Sequence, residues 1–136
     1  MTFKTAISID FDGTIVESDY PNIIGMKPHA KEIINRLYED FVIVINTCRA
    51  GDFAKMAEDW LKENGVKYHF FNENDPARIE AYNTDTRKIS ADLYIDDKQV
   101  GGLPDDWYDI YVLILPQLLE IERKRFLLLK NKSLSK

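Results

Sequence analysis

Two aspartates and a glycine follow the first apolar segment of the chain, and their spacing could build a small acidic site. Asp10 directly follows the segment Ile7–Ile9, and Asp12 and Gly13 come next. The carboxyl end of a strand is where open α/β sheets bind ligands. A strand that ends at Asp10 lets Asp12 turn back through a bend at Gly13. The same residues also occur simply as turn formers, so this triplet alone leaves both interpretations open.

Further polar residues lie at or near the ends of later apolar segments. Thr47 comes two residues after the second apolar segment, Phe41–Ile45. Asp96 and Asp97 directly follow the segment Leu93–Ile95, and Lys88 lies shortly before that segment. Because the carboxyl ends of parallel strands meet at one edge of a sheet, we expect these side chains to share a site. The combination favours a functional site over unrelated turns.

Clustered carboxylates constrain the chemistry of such a site. Asp10, Asp12 and Asp96 could not all stay ionised side by side without a cation, because like charges raise one another's pKa. The predicted ligands are all oxygen atoms, which suits Mg²⁺. The single cysteine, Cys48, excludes an internal disulfide and cannot build a thiolate metal site by itself.

The segments that carry these residues alternate between strand and helix patterns. Apolar residues recur at helical spacing over 28–39 and 52–64. The predicted strands are Thr5–Ile9, Phe41–Ile45, Lys67–Phe71, Asp92–Ile95 and Ile110–Leu115, and a last helix is expected from Pro116. This alternation predicts an α/β fold, Rossmann-like in three layers, around a mostly parallel five-stranded sheet.

Two segments interrupt the alternation. Residues 14–27 predict either a small hairpin flap or an irregular loop, and residues 72–90 form a longer polar stretch with one short helical turn after Pro76. Both follow the carboxyl end of a predicted strand, so both are expected to overhang the site. Neither is long enough to hold a separate domain.

Length and charge limit the remaining possibilities. The chain has 136 residues and a formal net charge of −5, so we expect a single domain over 1–136 and no nucleic-acid partner. No apolar run reaches the length of a membrane span. The first residues lack the pattern of a secretory signal, and a cytoplasmic location without a membrane partner is expected.

The order of these motifs resembles the haloacid dehalogenase (HAD) superfamily of phosphohydrolases. The resemblance rests on residues 10–14 (Asp-Phe-Asp-Gly-Thr), then Thr47, Lys88 and the pair Asp96 and Asp97. It implies a Mg²⁺-dependent phosphatase that acts on a phosphate monoester through an aspartyl-phosphate. The expected substrate is a small phosphorylated metabolite or a phosphorylated macromolecule.

The resemblance also implies roles for individual residues. Asp10 would be the nucleophile and Asp12 the general acid and base. Asp10, Asp96 and the backbone carbonyl of Asp12 would hold the metal, with Asp97 supporting them directly or through water. Thr47 and a lysine would bind the phosphoryl group. The further residues expected at the substrate are Gly13, Cys48 and Arg49.

The identity of the motif lysine is open at this level. Lys88 lies just before the fourth predicted strand and is preferred, but Lys98 directly follows Asp97 and could take the same role. Because 14–27 and 72–90 are short, the chain resembles the HAD members that lack a cap domain.

Four other interpretations compete with a HAD-type phosphatase. A response-regulator receiver domain would need its acceptor aspartate after the third strand, where the chain has Phe71 and Asn72. A cysteine phosphatase would need an arginine several residues after Cys48, whereas Arg49 is adjacent. A phosphotransferase or mutase, or an inactive HAD-like binding domain, would carry the same motifs.

The carboxyl-terminal segment raises a question of assembly. Residues 116–136 are expected to form a helix and a tail, and Leu127–Leu129 make this helix apolar on more sides than one domain face requires. We therefore expect part of it to pack against another subunit, as a homo-oligomer.

Overall fold

A four-stranded parallel sheet and a separate two-stranded hairpin form the β structure of the protein. A computed structural model describes residues 3–134. The strands are β1 (Ala6–Ile9), β2 (Val16–Asp19), β3 (Asn22–Met26), β4 (Val42–Ile45), β5 (Phe70–Phe71) and β6 (Leu93–Ile95). The helices are α1 (Ala30–Asp40), α2 (Gly51–Glu63), α3 (Pro76–Tyr82) and α4 (Trp107–Leu134).

The strand order of the sheet brings three strand ends together. The order is β5-β4-β1-β6, and every neighbouring pair is parallel. Ile9 lies opposite both Ile45 and Ile95, so β1, β4 and β6 end at the same level. Residues that follow these strands must therefore emerge at one edge, beside the central strand β1.

The core lies mainly between the sheet and three helices. Alternate residues of β1 and β4, among them Ile7 and Ile45, pack in one cluster with buried residues of α1, α2 and α4. Residues that point to the opposite face, such as Val44, pack against Ile89 and Phe70. Full burial of an isoleucine side chain stabilises a fold by about 1.5–3 kcal/mol, so the helical face supplies most of this stability.

The predicted fifth strand, Ile110–Leu115, is wrong because these residues lie inside α4. Trp107, Ile110, Ile114 and Leu118 are buried at helical spacing, while Val112 between them is exposed. The segment reads as a continuous apolar run only because the outer side of this helix is apolar too. The α/β class and the mostly parallel sheet are confirmed, but the sheet has four strands and is not the five-stranded Rossmann-like sheet that the sequence predicts.

Pro116 does not start the last helix as predicted, since α4 runs through it. A proline removes one backbone hydrogen bond and typically costs about 3 kcal/mol within a helix. The carbonyl that loses its partner is that of Val112, on the exposed side of α4, where water can replace the bond. The predicted tail at 135–136 lies outside the described residues.

The two interrupting segments take different paths. Residues 14–27 contain the antiparallel hairpin β2–β3. This agrees with the hairpin flap, one of the two structures that the sequence predicts for this segment, and not with an irregular loop. Residues after Pro76 form the short helix α3, as predicted. None of the helices between residues 3 and 134 carries an apolar stretch long enough to span a bilayer.

Candidate functional site

Three carboxylates meet at the carboxyl ends of β1 and β6. Asp10, Asp96 and Asp97 each place an oxygen within 4.8 Å of the others. Asp10 follows β1 directly, and its backbone N–H donates to the carbonyl of Ile95 at 2.9 Å. Since the register of two adjacent strands fixes these positions, the convergence comes from the backbone of the sheet.

Thr14 ties the two acidic segments to each other. Its hydroxyl donates to Asp10 Oδ2 at 2.9 Å and accepts the backbone N–H of Asp97, also at 2.9 Å. The carbonyl of Thr14 accepts from the indole N–H of the buried Trp107 at 2.9 Å. The helix α4 therefore anchors the loop that carries the first two aspartates.

Gly13 makes room for the acidic cluster. Its φ is +81°, and a Cβ added there would lie 2.2 Å from Asp97 Oδ2. Any side chain at this position would displace that carboxylate. The bend predicted at Gly13 is thus a point of close approach as well as a turn.

The electrostatics of the cluster favour a cation. Burial and, to a smaller extent, the negative charges of Asp96 and Asp97 together raise the pKa of Asp10 to about 7, against the hydrogen bond from Thr14, which lowers it. A divalent cation between these oxygens would offset both effects. The donors are all carboxylate oxygens, so the residues present fit a hard ion of the Mg²⁺ type.

Asp12 lies outside the cluster and pairs with Arg49 instead. Arg49 donates from Nε to Oδ2 and from Nη2 to Oδ1, both at 2.8 Å, and Ser18 Oγ donates to Oδ1 at 2.6 Å. Burial raises the pKa of Asp12, but these hydrogen bonds outweigh it, and the pKa lies below its usual value. The Asp12 side chain is therefore committed to Arg49 and Ser18, and of this residue only the backbone carbonyl stays a candidate metal ligand.

Arg49 borders the cavity but presents no guanidinium surface to it. Its side chain is 0% exposed and lies between the rings of Phe11 and Tyr20, 5.3 and 5.0 Å from their centroids. Its remaining nitrogen, Nη1, donates to the carbonyl of Phe53 at 3.3 Å. The guanidinium therefore positions the Asp12 carboxylate at the edge of the cavity.

The loop after β4 is held in place by Asn72, which directly follows β5. The backbone N–H of Thr47 donates to Asn72 Oδ1 at 2.8 Å, and Asn72 Nδ2 donates to the carbonyl of Arg49 at 3.3 Å. Thr47 and Cys48 line the cavity from this loop. Asn72 holds the loop in place, a role that the sequence does not reveal.

The structure does not bring Lys88 to the other predicted residues. Its Nζ lies 4.7 Å from the centroid of the Tyr94 ring, and Lys98 lines the cavity in its place. The cause is the path of the segment after Asn72. Buried Arg78 of α3 donates to the carbonyl of Lys4 at 3.1 Å, which draws the segment toward the amino-terminal ends of the strands.

The cavity itself has a volume of about 550 Å³ and is lined mainly by polar residues from three loops, which follow β1, β4 and β6, and from the hairpin segment. The hairpin segment contributes to its wall, as its predicted overhang requires, whereas no residue of 72–90, the other segment predicted to overhang the site, lines the cavity. Lys98, the alternative motif lysine, is among the lining residues. The lining residues that were not predicted are Glu17, Ser18, Tyr20 and Lys27. Their signal was only that residues 14–27 follow the acidic motif.

Comparison with protein-family models gives no match, and comparison with curated proteins gives none. Among solved structures, the chain is similar to a conserved protein from Bacteroides thetaiotaomicron at 36% sequence identity and a TM-score of 0.73. The alignment covers 85% of this chain and 93% of that one.

Proposed function

The chain belongs to the same family as the conserved Bacteroides thetaiotaomicron protein, and we propose that it is a Mg²⁺-dependent phosphatase of the HAD type. The observation that carries the proposal is the acidic cluster, whose three carboxylates approach within 4.8 Å at the ends of two adjacent parallel strands. The same cavity is bordered by Asp12 and Thr47. An aspartate pair, a hydroxyl and a cation site are what phosphoryl transfer to a carboxylate requires.

In the proposed reaction, Asp10 attacks the phosphorus atom and the bond to the leaving oxygen breaks. Asp12 gives a proton to that oxygen, and afterwards takes one from the water that hydrolyses the aspartyl-phosphate. Asp10, Asp96 and Asp97 would hold Mg²⁺, which neutralises phosphate charge when bound. The hydroxyl of Thr47 donates to a phosphoryl oxygen.

Lys98 takes the role of the cationic side chain in this proposal. It lines the cavity, and its backbone N–H donates to Asp96 Oδ1 at 2.9 Å. The anchored backbone keeps this lysine next to the metal ligands, where a compact positive charge attracts the phosphate. Lys88 has no such connection.

The pairing with Arg49 divides the two tasks of Asp12 unequally. A lowered pKa keeps Asp12 as a carboxylate, which favours its work as a base on water. Protonation of the leaving group is correspondingly weak. We therefore expect esters with good leaving groups, such as aryl phosphates, to react faster than alkyl phosphates.

The substrate class follows from the size of the cavity. A volume of about 550 Å³ suits a small phosphorylated metabolite, since ligand cavities of that kind are typically of about 300–1,000 Å³. Transfer to an alcohol acceptor would require exclusion of water, for which no cap domain is present among residues 3–134. Hydrolysis is the better supported outcome.

Turnover of an aryl phosphate tests the proposal. The wild-type protein should hydrolyse it with Mg²⁺, lose activity with EDTA and regain it when Mg²⁺ is added. Asp10→Asn should abolish turnover, whereas Asp59→Asn on the surface of α2 should not. Metal-dependent turnover that survives in purified Asp10→Asn would refute a nucleophilic Asp10.

A further inference from the structure

The outer side of α4 carries a line of exposed apolar side chains. We call it the apolar stripe, and its members are Tyr108, Val112, Leu115, Leu119 and Phe126. Each is between 37% and 71% exposed. Their spacing of four, three, four and seven residues is that of one side of a coiled coil.

The fold of a single copy leaves most of this stripe uncovered; only Tyr108 is partly covered, by stacking on the His29 ring and by donating to Glu32 of its own chain. α4 already buries Trp107, Ile110, Ile114 and Leu118 against the core, and the stripe lies on another side of the helix. Contiguous exposed apolar surface on a soluble domain marks an interaction site. The helical spacing of the stripe calls for a second helix as its cover.

We propose that a second copy of this chain covers the stripe, with the two α4 helices packed antiparallel about a two-fold axis near Gln117. Leu115 of one copy then meets Leu119 of the other, and Tyr108 meets Phe126. Both pairs are symmetric about the same axis, as a closed dimer requires. This inference stands independently of the proposed catalytic function.

Charge along the stripe selects the antiparallel orientation. Asp109 flanks its amino-terminal half, and Lys130 and Arg123 flank the other half on the same side of the helix; Arg123 also donates to Glu120 of its own helix. In an antiparallel pair Asp109 of each copy lies near a basic residue of the other, whereas a parallel pair would oppose like charges. Such exposed pairs contribute little affinity, so they decide orientation and the apolar contacts decide stability.

The one polar interruption of the stripe is compatible with this packing. Glu122 occupies the position between Leu119 and Phe126, but its carboxylate accepts a hydrogen bond of 2.5 Å from Thr5 Oγ1 of its own chain. Its aliphatic stem is then available to Val112 of the second copy.

The area of the stripe is sufficient for a stable pair. From the exposed fractions of its members, both copies together would bury at most roughly 1,100–1,200 Å², near the lower end of the range of specific interfaces. Leu113 gives a matched control, because it is also apolar and 49% exposed but lies on a different side of α4.

Sedimentation velocity with light scattering between 1 and 100 µM, a range chosen to span about micromolar affinity, tests the dimer on the full chain. Wild type and Leu113→Glu should be dimeric, and Leu119→Glu should dissociate at least about tenfold more readily with unchanged circular dichroism. A wild-type monomer throughout the range, or equal effects of both glutamates, would overturn the proposal.

Charge reversal tests the orientation. Asp109→Lys should weaken the dimer, and addition of Arg123→Glu and Lys130→Glu to the same chain should restore it. If the triple variant is weaker than Asp109→Lys alone, the antiparallel arrangement is wrong.

Discussion

Asp12 and Arg49 form a two-pronged ion pair in which each carboxylate oxygen accepts a hydrogen bond of 2.8 Å from the guanidinium. Asp10, only two residues earlier, instead faces two other carboxylates. Burial, together with these two carboxylates, raises the pKa of Asp10 to about 7, while the hydrogen bonds from Arg49 and Ser18 lower the pKa of Asp12. Opposite shifts in two neighbouring acids are a common way of assigning them different tasks.

Arg49→Lys should move the pH profile of turnover. A lysine keeps a positive charge but cannot make the two-pronged contact, so the pKa of Asp12 should rise. Because the carboxylate form of Asp12 is needed to activate water, the acidic limb of kcat should shift to higher pH, with about a tenfold to hundredfold loss below it. Thermal unfolding of the variant separates this effect from misfolding. An acidic limb that stays in place would contradict the role given to Arg49.

Lys98→Ala should lower kcat/KM for an aryl phosphate by at least about tenfold, since it removes the charge that faces the phosphate. The matched control is Lys88→Ala, whose side chain lies against Tyr94 and should be dispensable for activity. Steady-state kinetics of both variants decide between the two lysines. A large loss in Lys88→Ala with normal Lys98→Ala would restore the assignment made from sequence.

The acidic cluster was predictable because it depends on strand register. Apolar segments mark β1 and β6, and an aspartate follows each of them directly. Parallel pairing then brings Asp10 and Asp96 together regardless of the loops. Local sequence suffices where the backbone alone sets the geometry.

Lys88 and Arg49 were placed less well because side-chain contacts between distant segments decide their positions. The position of Lys88 depends on the path of the segment that Arg78 holds in place. Arg78 donates hydrogen bonds to the carbonyl of Lys4, 74 residues earlier, and to Ser90 Oγ, 12 residues later. Arg49 is buried by Phe11 and by Tyr20 of the hairpin turn. Neither contact has a signal in the local pattern of apolar residues.

Gly13→Ala should damage both stability and metal binding. The added methyl group would have to displace the Asp97 carboxylate, since its calculated distance from Oδ2 is 2.2 Å. The positive φ alone costs about 1–2 kcal/mol. Gly101→Ala is the control, because Gly101 has a φ of +87° but no atom within 4 Å of an added Cβ.

Urea unfolding and calorimetric titration with Mg²⁺ separate the two costs of Gly13→Ala. Both variants should lose a similar amount of stability from backbone strain, but only Gly13→Ala should also lose Mg²⁺ affinity. Equal Mg²⁺ affinity in the two variants would show that the close approach to Asp97 does not matter for the site.

Asp10 should make the metal-free protein less stable as pH rises. Its pKa is 3.8 in ordinary surroundings and about 7 in the fold. Below pH 3.8 the Asp10 carboxyl is protonated in both the folded and the unfolded state, so its titration does not change the free energy of unfolding there. Between the two values the unfolded chain loses its proton while the folded one keeps it, so the free energy of unfolding falls with pH until it levels off above about 7.

Asp10→Asn removes this titration and isolates its effect. Between pH 4 and 8 the metal-free variant should lose about 1–3 kcal/mol less stability than the wild type, after allowance for partial solvent screening of Asp10. Addition of Mg²⁺ at pH 8 should reverse the order, because the cation stabilises the ionised cluster only where Asp10 is present. Urea unfolding of both proteins at pH 4 and pH 8, with and without Mg²⁺, measures these free energies of unfolding. Parallel pH dependences in the two proteins would mean that Asp10 is not a strained carboxylate, and a Mg²⁺ response equal in both would remove it from the set of metal ligands.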